Sequence, residues 1–148
     1  MRVLVTGGRD YTEKEPIWLA LDYLHDRAAH LTLIQGGANG ADEQARKWSW
    51  GREGVSLVTV PANWRKHGKS AGPLRNRAML EQCKPQLVLA FPGGKGTASM
   101  VRIARAAGVP VVMVHGLASM ARTKGRLGEV VELVKGQASG RVAEAGAV

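Results

Sequence analysis

Three apolar runs in this chain each end in a glycine turn that opens onto a helix-like segment. This repeated unit restricts the possible folds more than any other feature. Arg2-Val3-Leu4-Val5-Thr6 is closed by Gly7-Gly8, and Leu31-Thr32-Leu33-Ile34 by Gly36-Gly37. Leu87-Val88-Leu89-Ala90-Phe91 runs into Pro92-Gly93-Gly94-Lys95-Gly96-Thr97. Short, β-branched apolar runs bounded by glycine or proline read as strands. Val55 to Val60, stopped by Pro61, and Val109 to Val114 complete a set of five.

Helical patterns fill the intervals. Ile17, Ala20, Leu21, Leu24 and Ala28 recur at three- and four-residue steps behind Thr12-x-x-Glu15, which has capping-box spacing. Gly40-Ala41-Asp42 opens a second helix with Ala41, Ala45 and Trp48 facing inward, and Trp50 is expected to pack with it. Leu74 to Cys83 follows Pro73, and Thr97 to Ala107 is ended by Gly108. Apolar strands alternating with helices predict an α/β domain: a Rossmann-like three-layer sandwich around a five-stranded parallel sheet.

Right-handed crossovers and two oppositely wound halves give the strand order 3-2-1-4-5. The first and fourth strands are then neighbours at the topological switch point, where open α/β sheets bind ligands beyond the C-terminal strand ends. All three glycine turns converge on that edge. A glycine loop just ahead of a helix start also presents free N–H groups and the positive end of the helix dipole, which favours an anion. Gly93, Gly94, Gly96 and Thr97 are the first candidates for such a cradle.

Several common chemistries lack their signatures. Gly93-x-x-Gly96 has neither the four-residue spacer nor the Lys-Ser/Thr pair of a Walker loop. No Gly-x-Gly-x-x-Gly follows the first strand, so no dinucleotide cofactor is expected, and no nucleophile elbow is present. His25, His30, His67, His115 and Cys83 show no metal-ligand spacing, so no metal is expected. Cys83 has no second cysteine to pair with, and no apolar run is long enough to span a bilayer, so a cytoplasmic protein without a membrane partner is expected.

Charge points to a phosphate-bearing partner. Between Trp64 and Arg105 there are nine basic residues against Glu81 alone, and nine minus one places +8 of the formal +9 there. Part of this cluster lies in Pro61 to Gly72, a stretch longer than most connections of its kind and therefore expected to be functional or mobile. Beyond His115 the pattern weakens: Glu129 to Val134 reads as a short amphipathic helix, and Gln137 to Val148 as a frayed, flexible tail.

Six motifs occur together and in order: Val5-Thr6-Gly7-Gly8-Arg9-Asp10-Tyr11, Gly36-Gly37-Ala38-x-Gly40-Ala41-Asp42, Pro61-Ala62-x-Trp64, His67-Gly68, Ala71-Gly72-Pro73-x-Arg75-Asn76 and Pro92-Gly93-Gly94-x-Gly96-Thr97. The combination resembles the YspA-like (YpsA-related) branch of the SLOG superfamily, which also holds the Lonely Guy phosphoribohydrolases and DprA. The resemblance covers about residues 1–114 and leaves 115–148 as a C-terminal extension. It implies a Rossmann-like domain for a nucleotide or nucleotide-derived ligand of the ADP-ribose or nucleoside-phosphate type. Lonely Guy enzymes cleave the N-glycosidic bond of nucleoside 5′-monophosphates with an arginine and a glutamate. Their glycine loop is followed, after one residue, by an acidic pair; the matching positions here are Ser99 and Met100.

The arginine of that pattern is similar to Arg75, whose planar fork suits a phosphate. Asp10 and Asp42 are the candidates to stand in for the missing carboxylate, and Asp10 has the competing roles of binding a ribose hydroxyl or orienting Arg9. Asp42 follows the second turn, where capping its own helix is the competing role. Arg9, Trp64, His67 and Asn76 complete the expected ligand contacts, with Trp64 as a base-stacking surface and His67 as an acid or base. The leading expectation is a nucleotide-binding sensor or processing module. The alternatives are nucleotide N-glycosidic hydrolysis and DprA-like binding of single-stranded DNA. A homo-oligomer is compatible with the resemblance.

Overall fold

The computed structural model describes residues 1–146, and the side chains of residues 1–138. Five strands form one parallel sheet: β1 (Arg2–Thr6), β2 (Leu31–Gln35), β3 (Val55–Thr59), β4 (Leu87–Ala90) and β5 (Val111–Met113). Their order is β3-β2-β1-β4-β5, as the crossover argument predicts. Between and after them run α1 (Lys14–His25), α2 (Ala41–Ser49), α3 (Trp64–His67), α4 (Ala71–Cys83), α5 (Lys95–Ala106) and α6 (Met120–Gly146).

The strand pleat sends alternate residues to opposite faces, and each face is covered by its own helices. Val3, Val5, Leu87, Leu89 and Phe91 pack with Ile17, Leu21, Leu24, Trp48 and Leu127 from α1, α2 and α6. Leu4, Val88 and Ala90 pack on the other side with Met79 of α4 and with Met100, Val101 and Ala104 of α5. β1 and β4 are therefore apolar on both faces, and burying each Leu or Val contributes about 1.5–3 kcal/mol. At the edge, β3 is half open, with Ser56, Leu57 and Thr59 exposed.

Several local expectations are corrected. The capping box at Thr12 does not form: α1 begins at Lys14, with Glu13 in the cap position and no side-chain cap bond. Pro16 then occupies the third helical position and has no N–H for a cap to bind. The segment before α4 is not simply a loop, since α3 and a 3-10 turn (Gly68–Ser70) lie in it and α4 starts at Ala71. Trp48 is fully buried and its indole donates to Asp22 Oδ1 at 2.8 Å, but Trp50 caps the end of α2 with 65% of its surface exposed.

The largest difference lies after His115. The helix expected over 129–134 runs from Met120 to Gly146. Met120, Thr123, Leu127 and Val131 are all buried, at steps of three and four that make one face, and the three apolar ones join the α1 side of the core. Gly125, Gly128 and Gly136 mask that periodicity in the sequence. Of the tail expected over 137–148, residues 147 and 148 lie outside the described residues.

Candidate functional site

β1 and β4 lie side by side at the switch point, pairing Val3 with Leu87 through Thr6 with Ala90. The turns that follow them are tied together, because Gly8 N donates to Pro92 O at 2.9 Å. Gly8 O in turn accepts from Tyr11 N (3.2 Å) and from Ala41 N (3.1 Å) at the start of α2. With the β2–α2 turn and the β3–α4 segment, they enclose a cleft of about 860 Å³ at the C-terminal edge of the sheet. That is within the usual range for a small-molecule site.

The glycines of the β4–α5 turn do two different jobs. A Cβ on Gly93 would overlap Thr97 Oγ1 and come within 2.7 Å of Gly8 N, so the protein's own packing requires glycine there. Gly94 and Gly96 have nothing within 4 Å of such a Cβ, although both line the cleft. Neither needs a positive φ. No neighbouring atom accounts for their lack of a side chain, and the space over them is open. Gly94 caps α5 without a side-chain bond, so the first N–H groups of that helix, from Lys95 on, face this space without an intrahelical partner.

Arg75 joins two of the turns. Its Nη1 donates to Gly36 O at 2.8 Å and its Nε to Asn76 Oδ1 at 3.1 Å. Asn76, only 4% exposed, donates from Nδ2 to Gly96 O at 3.1 Å, so it positions both the arginine and the start of α5. Two of the five guanidinium N–H groups are thereby used, which leaves three without a partner among the described residues. Burial pulls the Arg75 guanidinium below its ordinary pKa; Asp42 opposes this and Arg9 adds to it.

Asp42 does not cap its helix, because the cap position of α2 is Gly40. Its carboxylate turns back instead, and Oδ2 accepts from Gly36 N (3.1 Å) and Ala38 N (3.2 Å). Beside it, Gln35 Oε1 accepts from Gly37 N (2.7 Å) and from Arg46 Nη1 (3.0 Å), which braces the same turn. Burial raises the Asp42 pKa above the ordinary carboxylate value, against the bonds to Ala38 and Gly36 and the charges of Arg75 and Arg46.

Four cations line the cleft, Arg9, Lys69, Arg75 and Lys95, against two acids, Asp10 and Asp42. Four minus two leaves an excess of two positive charges. Trp64 stands at the rim, 48% exposed, with the Arg9 guanidinium 5.1 Å from its ring centroid.

Most of the expected site residues meet here: Gly7, Gly8, Arg9, Asp10, Gly36, Asp42, Trp64, Arg75, Asn76, Pro92, Gly93, Gly94, Gly96 and Thr97. Gly37 and His67 do not line the cleft, and His67 is exposed on α3. Tyr11, Lys69 and Lys95 line it without having been singled out. Tyr11 ends the first glycine-turn motif, and Lys69 and Lys95 belong to the basic cluster, so each carries a signal in the sequence. Among the described residues, no three His, Cys, Asp or Glu side chains are grouped to hold a metal ion. No helix among them is long and apolar enough to cross a membrane.

This arrangement of turns has relatives. The profile of the YspA, cpYpsA-related SLOG family matches residues 1–67. The Gene 61 protein of Mycobacterium phage D29 is 41% identical over 118 residues, which span 75% of this chain and 94% of that protein. The chain belongs to the YspA, cpYpsA-related SLOG family. Its fold also matches the X-ray structure of TM1055, with a TM-score of 0.53 and 20% identity over 74% of this chain and 71% of that one.

In this SLOG domain, the two positions where Lonely Guy loops carry acids have separate fates. Met100 is fully buried among the α4–α5 core residues, while Ser99 reaches the cleft. The carboxyl groups of the cleft come from other turns.

Proposed function

We propose that this SLOG domain binds a nucleotide or nucleotide-derived ligand in the switch-point cleft, with a phosphate at the start of α5. The observation that carries this reading is the open space over Gly94 and Gly96, beside unpartnered helix N–H groups and Lys95. An anion there gains from the N–H groups, the helix dipole and the nearby cations together. Arg75 supplies a second, laterally placed set of donors, and Trp64 a flat apolar surface for a base.

N-glycosidic hydrolysis requires a carboxylate to stabilise the positive charge that develops on the sugar. Asp10 and Asp42 are the acids available in the cleft, and Asp10 is exposed at its mouth. Binding is therefore the better-supported activity, and it agrees with the coarse nucleotide-related character of the family. Calorimetry with AMP, ADP-ribose and NAD tests it. Micromolar binding to one of them supports the reading, and a folded protein that binds none of them refutes it. Incubating the protein with the same compounds, followed by chromatography for free base or ribose phosphate, tests hydrolysis separately.

A further inference from the structure

Asp42 carries one oxygen that the fold uses and one that it does not. The residue is only 7% exposed, so more than nine-tenths of it is buried at the floor of the cleft. Oδ2 is occupied by the N–H groups of Gly36 and Ala38. Oδ1 has no hydrogen-bond partner among the described residues, yet it is not sealed off. The sealed and unpartnered side-chain atom among them is the Tyr11 hydroxyl, so Oδ1 keeps contact with solvent, and Asp42 lines the cleft.

A bare carboxylate oxygen accepts hydrogen bonds and repels phosphate. The anionic part of a ligand therefore belongs with Lys95 and the start of α5, and the part that meets Asp42 must present an O–H or N–H donor. In a nucleotide these are the ribose hydroxyls and the exocyclic amine of some bases. The flat base fits the half-exposed Trp64 ring at the rim, which leaves the sugar for the floor. Resting on the nucleotide reading above, we infer that Asp42 Oδ1 accepts a hydrogen bond from a ribose hydroxyl, so that the cleft selects ribonucleotides over deoxyribonucleotides. Asp42 thus takes the ribose role that the sequence suggested for Asp10. Oδ2 holds the carboxylate in place through the β2–α2 turn, and the nearby Arg75 charge compensates part of its burial.

Calorimetry on the full chain with AMP and ADP, each beside its 2′-deoxy and 3′-deoxy counterparts, tests this directly. A hydrogen bond to a charged group predicts that one of the two deoxy forms binds about tenfold more weakly or worse. Deoxy forms that all bind within about twofold of their parents overturn the inference. In Asp42→Asn, the amide oxygen can keep the Gly36 and Ala38 bonds while an NH₂ replaces the free acceptor. With folding checked by thermal unfolding, this variant is expected to lose the ribo/deoxy discrimination; retained discrimination also overturns the inference. If neither AMP nor ADP binds, the inference falls, while the nucleotide reading falls only if ADP-ribose and NAD fail as well.

Discussion

Arg75 Nη1 lies 2.8 Å from the carbonyl oxygen of Gly36, a residue 39 positions earlier in the chain. The guanidinium fills the volume where any other residue at position 36 would carry its Cβ. The glycine and the arginine therefore form one device: the β2–α2 turn lacks a side chain so that Arg75 can reach the cleft.

Gly36→Ala is expected to push the guanidinium off its acceptor and to weaken nucleotide binding by about 1.5–3 kcal/mol, the range for a hydrogen bond to a charged group. Arg75→Lys should bind equally poorly, because one ammonium cannot meet Gly36 O, Asn76 and an anion at once. Calorimetry on both variants checks this, and wild-type affinity in either would remove Arg75 from the site.

The glycines of the β4–α5 turn should separate stability from binding. Gly93→Ala forces a side chain against Thr97 and Gly8, and overpacking of this kind costs about 1–3 kcal/mol. Gly96→Ala meets open space within α5 and should leave stability unchanged or raise it by up to about 1 kcal/mol, and Gly94→Ala likewise meets no neighbouring atom. Yet those two are the variants expected to lose ligand affinity. Thermal unfolding and titration of the three proteins give the comparison, and normal binding by Gly94→Ala and Gly96→Ala would count against the phosphate position.

Asp42 makes stability depend on pH with a definite sign. Its native pKa is raised above the unfolded value of about 3.9, so the folded state holds the proton more tightly. The corresponding stabilisation is complete below about pH 3.9 and is lost as pH rises through the native value. Asn at this position does not titrate. Denaturant unfolding across that window should show Asp42→Asn gaining on the wild type as pH increases; a constant or shrinking difference contradicts the assignment.

Trp64 is half exposed at the rim of the cleft, on a helix with no buried residue. Trp64→Ala should therefore change stability little. If a base stacks on the ring, the substitution weakens nucleotide binding by about 1–3 kcal/mol. A ligand-induced fluorescence change that survives in this variant would place the base elsewhere.

Leu127 probes the final helix. It is fully buried on the α1 side of the core, and Leu127→Ala is expected to cost about 2–5 kcal/mol in urea unfolding. A loss below about 0.5 kcal/mol, typical of surface substitutions, would mean that α6 packs loosely.

The sequence by itself determined the framework. Runs such as Leu87 to Phe91 are local, their apolar character on both faces demands central strands, and crossover handedness then leaves one economical strand order. The convergence of the glycine turns follows from that order. What each turn residue does was decided by tertiary structure, because the deciding neighbour is remote in the chain. Gly93 is constrained by Gly8, Gly36 by Arg75, and Gly94 by nothing in the protein. Asp42 looks like a helix cap when read locally, but backbone N–H groups on the preceding turn claim one of its oxygens and leave the other open. The face of α6 likewise became visible only against α1, where Met120, Leu127 and Val131 find the apolar surface that outweighs their intervening glycines.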